Sequence, residues 1–196
     1  MPQRRIGLTG GIATGKSTVA HYLHQRYGVP VLDADSYSRE AVASGSPILG
    51  RVAERYGPQL LQTNGALDRR RLGDIVFSNP VERRWLEHQI HPYVRHRFEQ
   101  RLAELQTEPA VVLMIPLLFE AGLTGLCDDI WVVACRENTQ IDRLCLRDSL
   151  TPDQAHQRLA AQMPIEDKCA LADRVLTNDS SLQDLQFQVD RAWSHP

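Results

Sequence analysis

Lysine is almost missing from this chain. It occurs twice, as Lys16 and Lys168, so twenty of the 22 basic residues are arginine. Set against 24 acidic residues, they leave a formal net charge of −2 and an isoelectric point near 6.4. No long basic run disturbs that balance, so the charge pattern gives no reason to expect a nucleic-acid partner. Long apolar runs are missing too. None approaches the roughly 20 residues needed to cross a bilayer, and Met1-Pro2-Gln3-Arg4-Arg5 passes straight into a strand pattern with no room for a signal peptide. The expectation is a cytoplasmic protein with no membrane partner. The four cysteines, Cys127, Cys135, Cys145 and Cys169, form no C-x-x-C pair, which favours free thiols over disulfides or zinc ligands. Internal repeats, low-complexity tracts and linkers are also lacking. With 196 residues, 42% of them hydrophobic, the chain is long enough for one sizeable core with inserted lobes.

What is present is concentrated in one stretch. Gly10-Gly11-Ile12-Ala13-Thr14-Gly15-Lys16-Ser17 has the spacing G-x-x-x-x-G-K-[ST] of a phosphate-binding P-loop. Ile6-Gly7-Leu8-Thr9 before it suits a buried strand. Lys16 to Tyr27 after it carries Val19, Ala20, Leu23 and Tyr27 at helical spacing. Glycines let the backbone wrap closely around polyphosphate and point successive N–H groups inward, and the helix N-terminus adds partial positive charge. Lys16 is expected to reach the β- and γ-phosphates, and the Ser17 hydroxyl to sit on Mg²⁺. These features point to a nucleoside triphosphate and leave the acceptor open.

Gly28-Val29-Pro30-Val31-Leu32 reads as a helix stop and a second strand, ending at Asp33-Ala34-Asp35. Ligands of open α/β sheets bind at the carboxyl ends of strands, so Asp33 is expected at the same edge as the P-loop. There it can take the proton of an attacking hydroxyl or hold Mg²⁺ through water; capping of the helix expected over 36–43 is the alternative for it and for Asp35. From Ser36 to about Gln106 the pattern is helical, with helices expected over 47–56, 69–77 and 81–104. The last is expected to break into two or to kink at His91-Pro92. Such an insertion suits an acceptor site, with Arg69, Arg70, Arg71, Arg95 and Arg97 as basic candidates. Ala110 to Ile115 is a continuous apolar run, as in a central parallel strand buried on both faces. It ends without an aspartate, which shifts weight onto Asp33. Asp129 to Ala134 gives a fourth strand and Val175 to Thr177 a fifth. Between them 140–173 is helical and polar, with Arg143 and Arg147 four apart on one face and Arg158 on the next helix, a pattern that suits a lid closing over triphosphate. Leu182, Leu185, Val189 and Trp193 are expected as the apolar stripe of a closing helix.

Together these stretches resemble the dephospho-CoA kinase family over nearly the whole chain. The resemblance is carried by Leu8 to Ser17, Asp33-Ala34-Asp35, Leu67 to Leu72 with Val76-Phe77, His91-Pro92, Pro116-Leu117-Leu118-Phe119-Glu120, Gln140 to Arg147, Ala161-Gln162-Met163-Pro164, Lys168, and Ala172-Asp173. It implies a three-layer α/β P-loop kinase with a central parallel sheet. Within one domain over 1–196 it implies a core (about 1–34, 107–139 and 172–196), a helical CoA-binding insertion (about 35–106) and a lid (about 140–171). The activity implied is ATP-dependent phosphorylation of the ribose 3′-hydroxyl of dephospho-CoA, the last step of coenzyme A synthesis, by a monomer.

On that resemblance Asp33 is the base, and Lys16, Arg143 and Arg147 serve the phosphates. Gly11, Ile12, Ala13, Thr14, Gly15, Lys16, Ser17, Thr18 and Asn178 bind ATP, with Mg²⁺ on Ser17 and the phosphates. Thr9, Asp33, Arg69, His91, Leu117 and Glu120 bind the acceptor. Two positions depart from the family pattern. Met114 stands where many members have an aspartate, so no magnesium role carries over to it, and Asn178-Asp179-Ser180 lacks the glycine of Asn-x-Gly. The nearest alternative is a nucleoside monophosphate kinase, whose acceptor is already an ionised phosphate and needs no base. A GTPase switch is disfavoured because neither lysine lies in Asn-Lys-x-Asp; a non-catalytic CoA- or ATP-binding module is disfavoured by intact Lys16, Ser17 and Asp33.

Overall fold

A computed structural model describes residues 3–195, apart from the side chain of Phe77, which lies outside the description along with Met1, Pro2 and Pro196. The chain divides into two compact units. One holds the chain up to Asp33 together with the chain from Leu105 onward, and the other is Ala34–Glu104.

The first unit is built on five parallel strands, β1 (Arg4–Gly10), β2 (Val31–Asp33), β3 (Ala110–Met114), β4 (Asp129–Ala134) and β5 (Arg174–Thr177), in the order β2-β3-β1-β4-β5. The order reverses direction around β1, and the P-loop leaves from the carboxyl end of that strand. This is the switch point at which open α/β sheets bind ligands. Alternation along β1 sends Ile6 and Leu8 to one face, where they pack with Val19 and Leu23 of α1 (Lys16–Tyr27) and Leu185 and Val189 of the closing helix (Leu182–Ser194). Tyr22 and Tyr27 of α1 both donate hydroxyl hydrogen bonds to Asp190, and Tyr27 stacks on Trp193 at 4.7 Å. Burial, reinforced by that carboxylate, pushes the Tyr27 phenol up to about 12. Gly7 faces the other way, against Cys127 and Leu118. A methyl group there would lie 2.5 Å from the Cys127 sulfur, so the absent side chain lets the segment after β3 lie directly on β1.

The segment between β4 and β5 folds as three helices, α6 (Glu137–Asp148), α7 (Pro152–Ala160) and α8 (Ile165–Ala170). The start of α7 is set by a capping box, Thr151 with Gln154, and by Pro152 in its first turn. The closing helix, α9, departs from expectation at one position: Leu182 is 54% exposed and lies outside the apolar stripe, at the first residue after the Ser181 cap.

The second unit is helical: α2 (Ala34–Ala41), α3 (Pro47–Tyr56), α4 (Arg69–Ser78) and α5 (Pro80–Glu104). Ser46 and Asp68 cap α3 and α4 by accepting N–H bonds. Of the break or kink expected at His91-Pro92, the break is not found: α5 is one helix with Pro92 inside it. Proline removes one helical hydrogen bond, at a cost of about 3 kcal/mol. Packing on both sides offsets that cost: Leu86, Ile90 and Tyr93 join the core of this unit, and Val94, Phe98 and Leu102 are buried, with Phe98 edge-on to Tyr37.

Candidate active site

The loop between β1 and α1 is organised by its carbonyls. Gly10 and Gly11 accept from the Lys16 ammonium at 3.2 and 2.6 Å, and Gly11 also accepts from the Thr14 hydroxyl. Ile12 accepts from Gln140 at 2.7 Å, Ala13 from Arg143 at 3.2 Å, and Thr14 from Asn178 at 2.8 Å. Five consecutive carbonyls are thus held by side-chain donors. Two loop N–H groups are engaged within the protein, Ile12 to Gln162 and Thr14 to the Gly11 carbonyl, and a glycine-rich turn of this kind can form an anion-binding nest with its successive N–H groups. The backbone is strained to match. Gly10 and Gly15 lie at φ 146° and 105°, and Ala13, though not glycine, sits in the left-handed region at 60°. Gly15 precedes the first turn of α1, whose N-terminus completes the cradle, and Ser17 and Thr18 are exposed there.

Asp33 is the last residue of β2 and pairs in register with Met114, which in turn pairs with Leu8. It therefore stands at the same carboxyl edge as the P-loop, with β3 between them. Two strand spacings put its Cα about 10 Å from that of Leu8. The turn after β3 borders the edge. Thr9, fully buried at the end of β1, donates its hydroxyl to the Pro116 carbonyl at 3.2 Å. Leu117 follows in the same turn, and Glu120 accepts the N–H of Met163 at 3.0 Å.

The two arginines of α6, Arg143 and Arg147, have different surroundings. Arg143 also donates to the Asn178 carbonyl at 3.3 Å, so it ties the P-loop to the exit of β5. Arg147 makes a two-pronged contact with Asp148, and Arg158 of α7 donates to the same carboxylate at 2.8 Å. The hydrogen bonds and charge of Arg147, with Arg158 adding to them, hold the Asp148 carboxyl below its usual range. Arg69 and His91 belong to the helical unit. Arg69 is exposed and donates to the Arg39 carbonyl. Burial pushes the His91 imidazole below its ordinary value, so near neutral pH it offers hydrogen bonds rather than charge.

Two contributors to the loop lie in stretches that carry the family resemblance but have no role assigned from the sequence. Gln140 braces Ile12 from α6; its spacing of three and seven from Arg143 and Arg147 places it on their face, which is a usable signal. Gln162, in the 161–164 stretch after α7, accepts the Ile12 N–H at 3.0 Å.

The dephospho-CoA kinase family profile matches residues 4–184, which spans every element of this site. The chain belongs to the dephospho-CoA kinase family. Dephospho-CoA kinase of Synechococcus elongatus is 57% identical over 190 residues, covering 97% of this chain and 91% of the relative. A solved Thermus thermophilus structure superposes with a TM-score of 0.83 at 36% identity, covering 99% of this chain and 98% of that one. The Campylobacter jejuni dephospho-CoA kinase superposes with a TM-score of 0.71 at 27% identity, covering 97% and 95%. As in other P-loop kinases, the central parallel sheet is flanked by helices, and Gly10, Gly15, Lys16 and Ser17 here give the G-x-x-x-x-G-K-[ST] spacing.

Proposed function

We propose that the chain transfers the γ-phosphoryl group of ATP to the ribose 3′-hydroxyl of dephospho-CoA, giving coenzyme A and ADP. The observation that carries this reading is an intact P-loop with a strand-end carboxylate, Asp33, on the same sheet edge. A phosphate acceptor is already ionised and needs no base, whereas a ribose hydroxyl gains from a placed proton acceptor. Asp33 takes that proton as the hydroxyl oxygen attacks, and the bond from the γ-phosphorus to the bridging oxygen of ADP breaks. N–H groups of the loop and of the start of α1, with the Lys16 ammonium, neutralise charge on the triphosphate, and Arg143 and Arg147 serve the phosphates from α6. Arg147 exchanges its Asp148 carboxylate for phosphate oxygens, which offer the same two-pronged geometry.

Among the described residues no cluster of three or more His, Cys, Asp and Glu side chains is arranged to hold a metal ion. Mg²⁺ needs few protein ligands when triphosphate supplies the others. The exposed Ser17 hydroxyl at the start of α1 is the residue to hold it, and the ion supplies charge neutralisation on the phosphates when bound. Gly11 to Thr18 and Asn178 are assigned to ATP. Thr9, through Pro116, and Leu117 and Glu120 are assigned to the acceptor with Asp33, and so are Arg69 and His91 of the helical unit. The helical unit is read as the CoA-binding part and 140–171 as the lid of a cytoplasmic monomer without nucleic-acid or membrane partners. Among the described residues no helix is long and apolar enough to cross a membrane.

The test supplies Mg-ATP with dephospho-CoA, then with AMP, CMP and UMP, and follows ADP and phosphorylated product. Transfer to dephospho-CoA alone is expected; transfer to a monophosphate with none to dephospho-CoA overturns the reading. Asp33→Asn should lower kcat by about 10²- to 10⁴-fold while ATP affinity stays within about threefold. Near-normal turnover removes Asp33 as the base.

A further inference from the structure

Lys168 is fully buried, the least exposed charged side chain among the described residues. Its ammonium donates to the Pro116 carbonyl at 3.0 Å and lies 2.8 Å from Glu120 Oε1. The Pro116 carbonyl also holds the Thr9 hydroxyl, and Glu120 Oε1 also holds the Met163 N–H. One buried charge therefore ties together the end of β1, the turn after β3 and the short helix α8.

Stability alone does not account for an ammonium in that position. Burying it forfeits its hydration, and an apolar side chain of the same size fills such a space at less cost. What the ammonium does, and an apolar group cannot, is fix the rotamer of a carboxylate. Both contacts to Glu120 fall on Oε1. The side chain is a quarter exposed. The ion pair and the amide bond thus hold the carboxylate through one oxygen while part of the side chain stays accessible.

Resting on the assignment of Glu120 to the acceptor, we propose that Lys168 is the positioning residue for Glu120: it clamps Oε1 so that Oε2 is a fixed hydrogen-bond acceptor for a hydroxyl or amine of dephospho-CoA. Lys168 itself touches neither substrate. Its effect passes through Glu120 and the Pro116 turn, so it acts on acceptor binding, while the Lys16 contacts to Gly10 and Gly11 lie outside its reach.

Steady-state kinetics with both substrates varied test this on the wild type, K168M, K168R, E120Q and K168M/E120Q. K168M should raise KM for dephospho-CoA about tenfold, the loss of one well-placed charged hydrogen bond, while KM for ATP stays within about twofold. K168R, which retains donors and charge, should recover most of the loss. The double variant should be no worse than the worse single within about twofold, because both changes remove one interaction. Unchanged KM for dephospho-CoA in K168M, equal rises for both substrates, or additive singles overturn the proposal. Should K168M not fold, E120Q carries the same selective rise in KM. Amide exchange in the ligand-free protein gives a readout that needs no reaction. In K168M, or in E120Q in its place, the Met163 amide should exchange faster while the amides of α1 are unaffected; unchanged Met163 exchange refutes the clamp. A wild-type enzyme inactive on dephospho-CoA counts against the functional assignment, whereas the exchange result still decides the clamp.

Discussion

Replacing Gly15 by alanine tests how much of the P-loop rests on one residue. At φ 105° an L side chain is strained, and its Cβ would lie 2.3 Å from Asn178 Nδ2. The strain costs about 1–3 kcal/mol. Asn178 is flexible enough to swing away, but doing so breaks its 2.8 Å bond to the Thr14 carbonyl, about 1 kcal/mol more. The total is about 2–4 kcal/mol, or a fall of roughly 5–15 °C in Tm for a chain of this size. Thermal and urea unfolding followed by far-UV circular dichroism measure it, with KM for ATP read in parallel and expected to rise. Asn178→Ala alone should cost about 1 kcal/mol, since it loses the bond and no more. G15A/N178A should then be less destabilised than the sum of the singles by about 1 kcal/mol, because the shared bond is lost once and the clash is relieved. A G15A protein within about 0.5 kcal/mol of wild type would refute the reasoning, since neither the left-handed backbone nor the close approach of Asn178 would then matter.

Other consequences are equally open to measurement. Lys16→Ala removes the donor that holds two loop carbonyls and is proposed to contact the phosphates; transfer should fall by about 10²- to 10³-fold with the fold intact, and a loss below tenfold would argue against that role. Phe98→Ala empties a fully buried site edge-on to Tyr37 at 5.1 Å and should cost about 3–5 kcal/mol by urea denaturation. In the helical unit, hydrogen bonds from Arg55 and then Tyr56 hold the Glu82 carboxyl at about 2, below its ordinary 4.5. A carboxyl depressed on folding contributes stability that is present above the unfolded value and lost as pH falls through the folded one. Stability should therefore decline between about pH 4.5 and pH 2, and Glu82→Gln should flatten that part of the acid limb; an unchanged slope would show that the contact does not couple to folding.

The sequence alone determined what depends on neighbours along the chain. The strand over Asp129–Ala134, the helices over Lys16–Tyr27 and Pro47–Tyr56 and the cap at Thr151 follow from apolar periodicity, glycine, proline and cap residues, whose effects act within a few positions. The P-loop belongs to the same class, because its chemistry is written in eight consecutive residues. Asp33 was legible as a strand-end carboxylate, although the strand order that puts β3 between it and β1 was not. Tertiary packing decided the rest. It carried α5 through Pro92 where local preference called for a break, and it left Leu182 outside a stripe that its spacing suited. It also supplied the supports of the site. Gln140 and Gln162 reach Ile12 across 128 and 150 residues, and Lys168 reaches Pro116 across 52. Contacts at such separations leave no periodic trace along the chain, because they are fixed by how the elements pack rather than by their own propensities.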